Sequence, residues 1–196
     1  HFFANYISGN NGSDTLGNGE GGGMYLHAFS GILGGNQLIN NYSPKGGGIF
    51  YQTYAKSGKV FTPSITLNRI AGNTATWGAG FYMTGQCAPD FLMNVIRNNH
   101  ADSCGGGLYL INRASPSFTG NNILANTAGN EGGGAFVAGT GTDPDFGYKG
   151  ASSSMPNTLQ RNRAGMGGAI YYTDGSNTEA NGCEFYGNRA VRGGGV

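Results

Sequence analysis

Cleaving a glycosidic bond takes two carboxylates held roughly 5–10 Å apart, and a calcium-assisted elimination takes acidic ligands beside a basic residue. The chain offers ten acidic side chains for such work: Asp14, Glu20, Asp90, Asp102, Glu131, Asp143, Asp145, Asp174, Glu179 and Glu184. Only Asp143-Pro-Asp145 forms a local pair, and a turn is its simpler reading. His1, His27 and His100 share no position in the repeat, and none is expected to have a Cys or Asp companion. They read as packing or solvent-facing residues, so no catalytic residue, metal ligand or cofactor site is expected. Of the three cysteines, Cys87 and Cys104 lie close enough in the pattern below to form a staple, and Cys183 reads as a buried thiol. Asn11-Gly-Ser and Asn41-Tyr-Ser are sequons, which makes Asn11 and Asn41 candidate glycan acceptors in a secreted protein.

Placing these residues requires the period of the chain. The segment Phe91-Leu-Met-Asn94-Val-Ile96-Arg-Asn-Asn99 sets a spacing of apolar, Asn, apolar, Asn. It recurs from Phe2, Leu33, Ile65 and Phe118, and in degraded form around Asn157–Asn162, after Ser154, and around Cys183–Asn188. The second Asn falls at Asn10, Asn41, Asn73, Asn99, Asn126, Asn162 and Asn188, at steps of 26 to 36 residues. A glycine triplet or near-triplet follows each one, as in Gly105-Gly-Gly107, and all but the last open an apolar run such as Leu108-Tyr-Leu110. In phase with this pattern the acidic residues scatter. Glu20 and Glu131 share a position several coils apart, and Asp90 is matched by Ser64 and Ser117.

Short β-prone runs punctuated by Gly, Asn and Pro are strands, and glycine at every corner rules out helices. The spacing therefore predicts an all-β chain of about seven coils, a right-handed parallel β-helix forming one domain over residues 1–196. Asparagines are expected at the corners in left-handed backbone geometry, with their amides stacked into a buried ladder. Pro63, Pro89 and Pro116 mark the turn into the next coil. Surface loops are expected at about 52–62 and 138–154. Tyr25, Phe50, Tyr82, Tyr109, Phe136 and Tyr171 share one column. Turned inward they would be core; alternation with aliphatic neighbours favours the outward orientation, as a structural stack or as a contact surface for glycans or another protomer.

Composition narrows the partners. The 39 glycines are about one residue in five, against a usual ~7%, without the period of three that collagen needs. The 38% of hydrophobic residues is enough to build a core. Charged residues make up only 11% and the net charge is +1, which disfavours nucleic acid and anionic membrane surfaces. No apolar run reaches the ~18 residues of a membrane span. The chain starts in phase at Phe2 and stops just after the last triplet, with no polar cap. This predicts either further coils in a longer chain or copies stacked end to end.

Phe91-Leu-Met-Asn94, Phe118-Thr-Gly-Asn121, Phe185-Tyr-Gly-Asn188 and Gly167-Gly-Ala-Ile170 resemble the repeats of the polymorphic outer-membrane protein family across essentially the whole chain. That resemblance implies the β-helical passenger of an autotransporter adhesin. The resulting expectation is a non-catalytic structural or adhesive building block of a fibre, outside the cell or on its surface. The alternative is a module that binds or cleaves polysaccharides.

Overall fold

The computed structural model describes residues 1–54, 59–147 and 155–196. Each coil contributes strands to parallel sheets that run the length of a solenoid. The first sheet stacks Phe2–Phe3, Ile32–Gly34, Ser64–Thr66, Asp90–Leu92 and Ser117–Thr119. A second, seven-stranded sheet runs from Tyr6–Ser8 to Glu184–Tyr186, one strand per coil. A short sheet of Thr74–Trp77, His100–Cys104 and Thr127–Ala128 leads into the glycine triplets. Beyond them a six-stranded sheet runs from Met24–His27 to Ile170–Thr173.

Register is in phase with the sequence repeat. Ile65, Phe91 and Phe118 pair with one another, as do Ile70, Ile96 and Ile123. With a side-chain period of two, each three-residue strand turns only its middle residue inward. Leu33, Ile65, Phe91 and Phe118 from one wall meet Leu38, Ile70, Ile96 and Ile123 from the next, all essentially without exposure. The third wall adds Ile49 and Tyr51, Phe81 and Met83, and Leu108 and Leu110. A narrower stack of Ala75, Ala79, Ala101, Ala128 and Ala164 fills the tight corner beside the triplets.

The triplets work through two requirements. Their first residues, such as Gly105, sit at positive φ (+71° there), a region that costs other L-residues energy. At the third, a Cβ on Gly107 would lie 2.4 Å from the Gly134 carbonyl oxygen of the next coil. Pro63, Pro89 and Pro116 lie at the turn into each coil, and their carbonyls accept from Asp90, Ser117 and Asp145 of the coil that follows.

Two expectations need correction. The left-handed residue at each corner is the one before the ladder asparagine: Asn40, Gly72, Asn98, Ala125, Arg161 and Gly187 precede the second asparagines with φ between 52° and 66°. The asparagines themselves keep negative φ and spend their side chains on hydrogen bonds. The loop expected at 138–154 begins too early. Ala138 ends a strand, Asp145 bridges Ser117, and Phe146 is fully buried with its ring 4.4 Å from that of Phe118. Phe146 is therefore the apolar anchor of its coil, not Ser154. Residues 55–58 of the other expected loop, and 148–154 of this one, lie outside the described residues.

Candidate functional site

Two polar ladders run inside the corners. Asn73 shows the unit: its backbone N–H and its Nδ2 both donate to Asn99 Oδ1 (3.0 Å each), and Nδ2 also donates to the Leu38 carbonyl. Asn99 repeats this toward Asn126 and the Ile70 carbonyl. Each inner amide thus donates twice and accepts twice, which fills its capacity. The chain of bonds runs Asn10, Asn41, Asn73, Asn99, Asn126, Asn162, Asn188. A parallel ladder runs Asn5, Asn36, Asn68, Asn94, Asn121, Asn157. Cys183 takes the next rung there, and its thiol donates to the Phe146 carbonyl at 2.7 Å. Burial first, then the nearby Asp145, pushes that thiol up to about 11.

This geometry overturns one glycan acceptor. Asn41 is 1% exposed, and its Nδ2 is committed to Asn73 Oδ1 and the Ile7 carbonyl, so it cannot carry a glycan in the folded chain. Asn11 is exposed, and only its Oδ1 is engaged, by Ser13 N–H and Oγ. The proposed staple is overturned as well. Cys87 and Cys104 are both free thiols in different clusters. Cys87 faces the main core, stacked between Phe61 and Ala114, and burial raises its pKa to about 12. Cys104 stacks between Trp77 and Glu131 outside that core. Its thiol donates to Glu131 Oε2 at 3.5 Å, and burial again raises its pKa.

The aromatic column does turn away from the core. Its neighbours Ile49 and Tyr51, Phe81 and Met83, and Leu108 and Leu110 belong to the core cluster, while Phe50, Tyr82 and Tyr109 do not. Its rings stack in a continuous series from Tyr25 to Tyr171, with centroids 4.7–5.8 Å apart. As an open contact strip, however, it is interrupted, because Phe50, Tyr82 and Phe136 are buried. The rings cover one another and lean over the glycines, where a Cβ on Gly78 would lie 2.9 Å from Cβ of both Tyr82 and Tyr109.

The residue before each triplet forms a flanking column that sequence reasoning did not single out: Glu20, Lys45, Trp77, Cys104, Glu131, Met166 and Arg192, bridged in register. Cys104 packs with Phe136 and Tyr109, which ties this column to the aromatic one. At its first coils Tyr25, Trp77, Glu20 and Lys45, with Asp14 and Asn18, line an open groove. Lys45 and Glu20 pair there at 3.2 Å, and Tyr25 is exposed.

The acidic residues find uncharged or basic partners. Asp145 Oδ1 accepts from the Gly147 N–H two residues on, as a turn residue does, and Asp143 Oδ1 accepts from the distant Asn177 N–H. Asp90 accepts from Ser117 Oγ, and Asp102 lies 3.4 Å from His100 Nε2. His100 Nδ1 bonds Thr127 Oγ1, His1 Nδ1 accepts from the Ile32 N–H, and His27 packs against Tyr54. Among the described residues no group of three or more His, Cys, Asp and Glu is placed to hold a metal. No helix there is long and apolar enough to cross a membrane.

Stacked parallel strands, corner ladders and a wound core define a β-solenoid. Residues 68–196 match the right-handed β-helix region family, and the chain belongs to it. No curated protein and no solved structure matches the chain.

Proposed function

We propose that the protein is a non-catalytic structural and adhesive β-helical building block of an extracellular or cell-surface fibre, in the manner of the polymorphic outer-membrane repeats. The observation that carries this reading is the continuity of the polar and aromatic stacks. Two asparagine ladders and an aromatic column run from coil to coil, so what recurs most strictly serves the rod itself. The amide-to-amide bonds have one polarity throughout, each running to the asparagine of the following coil, which suits continuation by further coils or by another copy. With strands ~4.8 Å apart, the seven coils make a rod of roughly 30–35 Å. Electron microscopy of native material, with intact mass on the same sample, tests this. Filaments, or rods longer than one copy, support it, and dispersed monomers of ~20 kDa overturn it.

A glycan-binding or glycan-cleaving module is the second reading, and the groove between Trp77 and Tyr25 favours it, because aromatic faces beside polar groups suit sugar rings. Trp77→Ala should abolish glycan retention in that case and leave a fibre intact. Turnover lost on Asp143→Ala with Asp145→Ala would instead place an enzyme at the late turn.

A further inference from the structure

We propose that the flank of the last two coils binds an acidic glycan through Arg161, Arg163 and Arg189, an inference that does not rest on the structural role above. Arg163 and Arg189 are bridged in parallel register, which sets their side chains one strand spacing, ~4.8 Å, apart on the same face. Arg161 sits at the left-handed corner two residues earlier. All three are exposed.

Like charges directly opposite on a sheet destabilise it unless something neutralises them. Among the described residues no carboxylate is paired with these arginines. The ion pairs of the described residues are Lys45 with Glu20 and His100 with Asp102. The two open depressions beside these arginines are walled by Ala125, Thr127, Ala164, Gly187 and neighbouring residues, with no carboxylate. At the same position the earlier coils carry Tyr42, Thr74, His100 and Thr127, so the repeat does not require a guanidinium there. In a chain of only 11% charged residues, three unpaired guanidiniums on two coils form a positive spot built to meet an anion.

The chemistry of the spot selects the partner. Guanidiniums grip carboxylate or sulfate oxygens bidentately. The half-exposed Tyr186 ring, whose carbonyl accepts from the Arg161 N–H, adds an aromatic face at the same edge. The spot spans about 5 Å along the axis on a chain of net charge +1. That is too short and too weak a field for a nucleic-acid duplex, whose affinity grows with each phosphate neutralised. An acidic polysaccharide carries sparser charge and apolar sugar faces, and it fits.

The full chain is tested against immobilised polygalacturonate and dextran sulfate, with neutral dextran and single-stranded DNA as comparisons, over a range of salt. Expected is salt-sensitive binding to polygalacturonate, dextran sulfate or both, which tells carboxylate from sulfate recognition. Arg163→Ser with Arg189→Ser should weaken it about tenfold or more, while Arg69→Ser leaves it unchanged. Arg163→Lys with Arg189→Lys, which keeps the charge but loses the fork, should fall between. The replaced side chains are exposed, and thermal melting followed by circular dichroism checks that each variant is folded. Undiminished binding by the serine variant, no binding to either acidic glycan, equal binding to dextran, or tighter binding to DNA would each overturn the proposal.

Discussion

A ladder asparagine is worth far more than one hydrogen bond, because its removal strands its neighbours. Asn99→Ala would leave the Asn73 N–H and Nδ2 without their acceptor and would remove the Asn99 amide from the Ile70 carbonyl, while Asn126 Oδ1 would keep only the backbone N–H of residue 99 as donor. At roughly 1–3 kcal/mol for a buried unpaired group, partly offset by relaxation, the expected loss is about 3–5 kcal/mol in urea unfolding. The residue before each asparagine offers the opposite case. Leu67 holds φ +57° while 60% exposed, so it carries left-handed strain and little burial. Leu67→Gly, which installs the residue already at Gly35 and Gly120, should stabilise the chain by about 0.5–1 kcal/mol, measured as a higher urea midpoint at unchanged slope.

At the scale of the coil, an insertion can leave the anchor untouched while hiding it from a spacing argument. Phe146 continues the ring stack of Phe91 and Phe118, with the extra residues falling between it and Asn157. Phe146→Ala should therefore cost about 3–5 kcal/mol, comparable to Phe118→Ala, whereas a loop phenylalanine would change stability by no more than ~0.5 kcal/mol. Parallel urea titrations of the two variants decide it.

For the whole molecule, the free thiols make alkaline stability a readout of packing. Burial raises Cys87 from 9.0 to about 12 and Cys183 to about 11, and it raises the Tyr51 phenol as well. The folded chain holds these protons more tightly than the unfolded one. Their contribution is complete below the unfolded thiol value and is lost as pH rises from about 9 toward 12. The denaturation midpoint should fall over that window. In the native state at neutral pH Cys87 should resist alkylation by iodoacetamide, and all three thiols should react after unfolding. A disulfide between Cys87 and Cys104 would leave only one.

The sequence by itself determined the solenoid, its coils, the line of asparagines and the lack of an acidic array in repeat phase, and it favoured without deciding the outward turn of the aromatic column. These are properties of period, and period is written in the chain. Even the arginine pair was legible in principle, since Arg163 and Arg189 each follow a second ladder asparagine. What only the tertiary structure decided lies between columns: Trp77 beside Tyr25, Cys104 against Phe136 instead of Cys87, Phe146 as anchor, and Asn41 closed to a glycan. The spacing of residues along one column is fixed by the repeat, but which columns meet depends on corner angles and insertion placement. Those follow from packing of the wound coil, which no linear pattern records.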